Sequence, residues 1–281
     1  MIIEASFFKL LHIWSAQERI KLNRTIPLFD EHSRDFYEAQ GASEFANVIT
    51  NELSSVGIDI PERLVIQGYP YPDNSHKHVD IYVNLEEYIK KAKIHKAYMS
   101  RNNYIEVKLF SGKDNTKGTQ TITENAGYII NDILRMALLT NKTPSRNEGI
   151  SRYLLVLFDN HPENYISYRG RDRQIRTWIE DLLLPLDFVR KLKKQKKGEL
   201  PELTDMPRFN SSGTLRINLS DVKSVPNSMF NALQNGLNNK ITRHSQLNIP
   251  YIKYCMFPFI GTNQSYFFLF RFFEISVGKI K

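Results

Sequence analysis

The sequence predicts an α/β fold, a mixed sheet flanked by helices. Three observations predict it. Arg63–Tyr71, Lys77–Asn84, Asn103–Phe110 and Tyr153–Phe158 are short, apolar and bounded by turn-forming residues, as strands are. Two longer segments carry apolar residues at helical spacing: Phe45, Val48, Ile49 and Leu53, and then Ile122, Ala126, Ile129, Ile130, Ile133 and Ala137. Over about residues 43–158 these follow one another as helix, strand, strand, strand, helix, strand.

Met1–Asn23 reads as an amphipathic helix. It lacks the basic leading segment and small-residue cleavage site of a signal peptide, and Glu4 and Lys9 interrupt it. Arg24–Gln40 is a less regular connection. Ser43 has the chemistry of a helix N-cap and Gly57 that of a helix stop. Pro70, Pro72, Asp73 and Asn74 form the turn after the first strand. Leu85–Tyr98 is lysine-rich and helical in pattern, and Ser111–Thr119 is a loop. Tyr153–Phe158 is apolar throughout, as expected of a strand buried on both faces.

The remainder predicts an α+β elaboration of the core. Gln174–Leu184 and a stretch near Asn227–Asn239 read as helices, with Lys191–Pro207 as a connector. Leu215–Leu219, Ile249–Phe257 and Tyr266–Ile275 read as strands, either extending the same sheet or building a small second domain. The organisation is thus an N-terminal helical segment (1–42), a core (43–168) and a basic C-terminal region (169–281).

A length of 281 residues fits one large domain or two small ones, and 41% hydrophobic residues suffice for a core. No apolar run approaches the roughly 20 residues of a membrane span. The single cysteine, Cys255, rules out an intrachain disulfide framework and fits a reducing cytoplasm; its apolar neighbours suggest a buried thiol. The net charge of +8 is concentrated. Between Arg169 and Lys197 stand ten basic and four acidic residues. Such a run is either a solvated loop or a polyanion contact, with Arg169, Arg171, Arg173, Arg176, Lys193, Lys194, Lys196 and Lys197 as the contacting residues.

The chemistry lies in two of the strands. Side chains alternate between the faces of a strand. Asp80 therefore opposes Val79, Ile81 and Val83, while Glu106 and Lys108 oppose Ile105, Val107 and Leu109. If the strands pair, an aspartate, a glutamate and a lysine converge. Asp80, Glu106 and the Val107 carbonyl could hold Mg²⁺ or Mn²⁺, which takes oxygen ligands and keeps several waters. A glutamate and lysine two apart on a polar strand face also commonly only solubilise. His76 and His78 make a weak zinc pair. No phosphate-binding loop, serine nucleophile elbow or dinucleotide fingerprint is present.

Asp80 followed by Glu106-Val107-Lys108 resembles the PD-(D/E)XK nuclease superfamily, with its restriction-endonuclease-like core, over roughly residues 43–158. Val79 stands where a proline often precedes the first acid. The resemblance implies a metal-dependent endonuclease acting on DNA, as in restriction or anti-phage defence. Asp80, Glu106 and Lys108 would be catalytic. Glu44, with Glu52 second, would match the acid on the preceding helix, although a first-turn glutamate also suits the helix dipole. Gln120 matches a polar residue near the phosphate. Cutting both strands of a duplex favours a homodimer, and a partner defence subunit is the other arrangement the resemblance implies. The alternatives are a nucleic-acid-binding module or complex subunit with an inactive site, and an RNA-directed nuclease.

Overall fold

The computed structural model describes residues 2–22, 34–72, 74–93, 100–110, 119–139, 149–158, 211–219, 242, 247–260 and 266–275, with Asn227, Phe230, Asn231 and Gln234. The Arg169–Lys197 segment lies outside them, as do the loop after Phe110 and most of the stretch near Asn227–Asn239.

Helix α1 (Ile2–Leu22) turns Ile3, Phe7, Leu10 and Leu11 inward, three and four residues apart. Helix α2 (Arg34–Ser55) packs beside it and buries Phe45, Ile49 and Leu53 on one stripe. Phe45 has no exposed surface, so its truncation to alanine should cost about 3–5 kcal/mol. The end of α2 follows from Gly57, at φ +83°. The Gly57 amide donates to Ser54 O (2.8 Å) and the Ile58 amide to Leu53 O (3.1 Å), a Schellman closure that satisfies the last carbonyls. The start of α2 differs from the sequence expectation. It lies at Arg34, nine residues before Ser43, and the Ser43 hydroxyl instead donates to Gln67 Oε1 on the first strand (2.8 Å).

Seven strands form one mixed sheet: β1 (Val65–Tyr71), β2 (Asn74–Asn84), β3 (Asn102–Phe110), β4 (Ile150–Phe158), β5 (Ser211–Leu219), β6 (Leu247–Ile260) and β7 (Tyr266–Ile275). Their order is β1-β2-β3-β4-β7-β6-β5. The last three strands therefore extend the same sheet. Among the described strands only β3 and β4 run parallel, and a parallel pair requires a crossover; α4 (Thr119–Leu139) supplies it. A short helix α3 (Glu86–Lys91) joins β2 to β3.

The register assigns the faces. Ile81 pairs Ile105, Ile105 pairs Tyr153 and Leu155 pairs Leu269, so these residues share a face with Val83, Val107 and Leu109. That face packs on α1 and α2 to form the main core. The opposite face carries Glu106, Lys108 and Arg152. Helix α4 lies over it, burying Ile129, Ile130, Ile133, Leu134 and Met136, and Arg152 Nε donates to the Met136 carbonyl (3.1 Å).

Candidate functional site

The site forms where β2 and β3 part. Their ladder runs from Asn84–Asn102 to Ile81–Ile105 and stops there, although both strands continue. Past that point the amides of β3 that face β2 need other acceptors, because a buried amide without one is costly. Side chains provide them. The Val107 amide donates to Asp80 Oδ2 (2.7 Å), and the Leu109 amide donates to Glu38 Oε1 (3.2 Å), reached from α2. In a strand the carbonyl of a residue points the same way as its amide, so the Val107 carbonyl also faces this opening.

Glu106 and Lys108 stand on the α4 side of β3. Glu106 is 1% exposed. Its Oε1 accepts from the Tyr71 hydroxyl and from Arg135 Nη2 of α4. Tyr71 stands where the register of β1 on β2 shifts, at Pro70–Tyr71, and such shifts re-aim side chains. Arg135 also lies over the Tyr71 ring, 5.6 Å from its centre. Lys108 Nζ sits between Glu38 Oε2 (3.3 Å) and Asp132 Oδ2 (3.4 Å), and Asp132 Oδ1 lies 3.5 Å from Arg135. Asp132 is as buried as Glu106.

Four carboxyls, of Glu38, Asp80, Glu106 and Asp132, thus face two cations, Lys108 and Arg135. Burial raises the Glu106 pKa to about 7; Asp80 adds to the rise, and Arg135 opposes it without prevailing. Burial likewise raises Asp132 to about 6 against the pull of Lys108. Asp80 is raised as well, chiefly by burial, although Lys108, the Val107 amide and a hydrogen bond with Glu106 hold it down. The Asp80 and Glu106 carboxyls therefore face each other, with Glu106 the one that keeps a proton. Burial pulls Lys108 down, but Asp132, Glu38, Glu106 and Asp80 outweigh it and hold the ammonium above its ordinary range.

The donor set is all oxygen, which suits a hard divalent cation. Among the described residues no three His, Cys, Asp or Glu side chains form a chelating group. The pair that fits is Asp80 with Glu106, beside the Val107 carbonyl; a magnesium ion that retains waters needs no more than one or two carboxylates.

The structure brings together Asp80, Glu106, Val107 and Lys108 from the sequence-based set. It brings Glu38, not Glu44, to the strands. Because α2 starts at Arg34, Glu44 lies mid-helix, where its Oε1 accepts from Gln40 Nε2 (2.9 Å). Glu52 is ion-paired with Lys9 of α1. Gln120 is the second residue of α4 rather than part of a loop. His76 and His78 are exposed, and Cys255 is half-buried rather than buried. Glu38, Tyr71, Asp132 and Arg135 were not expected. The signal for Asp132 and Arg135 was present, as two charged residues three apart within an apolar helical stretch. Tyr71 had none, since it depends on the register shift.

Comparison with protein-family models, with curated proteins and with solved structures found no match.

Proposed function

We propose that this protein is a metal-dependent nuclease that hydrolyses phosphodiester bonds of DNA, in a restriction or anti-phage defence role. One observation carries the reading: Asp80, Glu106 and Lys108 meet where β2 and β3 part, in a buried cluster whose carboxyls outnumber its cations among the described residues. The order α2-β1-β2-β3-α4-β4 and the Asp80, Glu106-Val107-Lys108 spacing resemble a restriction-endonuclease-like core. DNA as substrate rests on that resemblance.

Asp80, Glu106 and the Val107 carbonyl would hold Mg²⁺ or Mn²⁺. Such an ion, when bound, supplies hydroxide at neutral pH and screens charge on the phosphoryl oxygens. Lys108 contributes a fixed positive charge. Held above its ordinary pKa by its carboxylate neighbours, it stays an ammonium at neutral pH and meets the phosphate's charge rather than taking a proton. Glu106, with a pKa of about 7, exchanges a proton near neutrality.

The test is cleavage of supercoiled plasmid, and of RNA of matched length, by the full chain in millimolar Mg²⁺. The expected result is nicked or linear plasmid with wild type and a loss of about 10²- to 10³-fold with Lys108→Ala or Asp80→Ala. Equal cleavage by all three proteins would exclude the reading. Cleavage of RNA alone would move the substrate class.

A second reading is a nucleic-acid-binding module with an inactive site. It is favoured by Glu106 Oε1 being engaged by both Tyr71 and Arg135 and by Lys108 already lying between two carboxylates. Calorimetric titration with Mg²⁺ and Ca²⁺ separates the readings. A nuclease site binds the metal and loses it in Asp80→Ala, whereas a binding module needs no metal.

A further inference from the structure

We propose that Asp132 and Arg135 of α4 are a pair of positioning residues, each holding one of the two working side chains of β3. The proposal rests on the nuclease reading of Asp80, Glu106 and Lys108. The geometry is crossed in sign. The acid of the helix faces the base of the strand, Asp132 Oδ2 to Lys108 Nζ at 3.4 Å. The base of the helix faces the acid of the strand, Arg135 Nη2 to Glu106 Oε1. The two helix residues are three apart, on one face, and lie 3.5 Å from each other.

The two holds differ in kind. Arg135 makes a charge-assisted hydrogen bond to Glu106, and Tyr71 adds a second donor to the same oxygen. Two donors on Oε1 restrain the carboxyl where it faces that of Asp80. Asp132 Oδ2 makes no hydrogen bond, so its hold on Lys108 is a charge contact. It is shared with Glu38 Oε2 on the other side, and Lys108 is centred between two negative groups from two different helices. Helix α4 is well suited to this task. Its apolar stripe is locked into the sheet face beside β3 and β4, so side chains projecting from it have a fixed origin. A misplacement of about 1 Å in such a site can cost about 10²-fold in rate.

The two members should fail differently. Arg135 orients a metal-holding side chain, so its loss should appear as a higher Mg²⁺ requirement. Asp132 orients a side chain that holds no metal, so its loss should lower the rate at saturating Mg²⁺ and leave the requirement where it was. The experiment uses the full chain. Single-turnover plasmid cleavage is measured against Mg²⁺ concentration for wild type, Arg135→Lys, Asp132→Asn and Tyr71→Phe, with thermal melting of each. We expect a roughly tenfold or greater rise in the half-saturating Mg²⁺ for Arg135→Lys. A smaller rise is expected for Tyr71→Phe, and a rate loss of about 10²-fold at unchanged half-saturation for Asp132→Asn. Arg135→Ala should regain activity with added guanidinium ion, with no matching change in melting temperature.

If wild type cleaves and the variants match it, or if all lose activity in step with melting temperature and with one Mg²⁺ dependence, the positioning roles are overturned and the nuclease reading stands. If wild type neither cleaves nor binds Mg²⁺, the nuclease reading falls and takes this proposal with it. Should one α4 variant not fold, the other decides for its own partner: an unchanged Mg²⁺ requirement in Arg135→Lys, or an unchanged rate at saturating Mg²⁺ in Asp132→Asn, overturns that role.

Discussion

Two buried polar clusters lie on opposite faces of the same sheet, and they are balanced differently. On the α1 side, Glu4 meets Arg271 Nη1 (3.4 Å) and accepts from the Tyr153 hydroxyl (3.1 Å), while Arg271 Nη2 reaches the Ser151 hydroxyl (3.3 Å). Among the described residues one acid here faces one base. On the α4 side, four carboxyls face two bases among the described residues. A buried pair matched one to one can complete itself within the fold. A surplus of buried carboxyls leaves negative charge that only protons or an added cation can offset. The first cluster links α1 to β4 and β7, and on the proposed reading the second takes up a cation.

Of the two clusters, the balanced one gives the larger expected effect on stability when broken. Glu4→Ala strands Arg271 beneath α1 and should lower stability by about 3–5 kcal/mol in urea unfolding, while the surviving folded fraction keeps its Mg²⁺ dependence of cleavage. A shift in that dependence would mean that the two clusters are coupled through β4.

The unbalanced cluster should show itself through pH. Glu106 moves from an ordinary 4.5 to about 7 on folding, and Asp132 from 3.8 to about 6. Both are raised, so the stability they contribute is fully present below pH 4 and lost as pH rises through 6 and 7. For Glu106 the loss amounts to about 3 kcal/mol at most. The melting temperature in chelator should therefore fall between pH 4.5 and 8 more steeply for wild type than for Glu106→Gln. Millimolar Mg²⁺ should raise it at pH 8 and hardly at pH 5. The Glu4 side predicts no such metal response, and identical slopes for wild type and Glu106→Gln would remove the contrast.

The smallest effect concerns α2. Glu38→Gln takes charge from Lys108 and weakens the acceptor for the Leu109 amide, whereas Glu44→Gln alters a contact within the helix. Glu38→Gln should slow cleavage several-fold more than Glu44→Gln does. The reverse order would favour Glu44 over Glu38 as the helix acid.

Much of this was legible in the residues. Alternation alone put Asp80, Glu106 and Lys108 on one face, because a strand has only two. Apolar spacing located α4 and the buried β4. The start of α2 was misplaced because Ser43, a good N-cap by chemistry, lies within the helix, where its hydroxyl serves Gln67 instead of a helix end. Local chemistry cannot report that a helix began nine residues earlier, and with the start misplaced, Glu38 fell in a segment read as irregular. Tyr71 depends on a register shift, and its role exists only once β1 and β2 are paired.

Strand β3 is zipped to β4 through nine consecutive register pairs, whereas its pairs with β2 number four. Beyond Ile105 its free edge is stitched by two carboxylates, at the Val107 and Leu109 amides. Whatever draws the Asp80 carboxylate away, whether a proton or a cation, loosens the first stitch. On the proposed reading, isotope exchange at the Val107 amide should respond to whatever binds Asp80, and exchange at the Leu109 amide to whatever binds Glu38. The chain carries its own two-channel reporter in the backbone, readable without knowledge of the substrate.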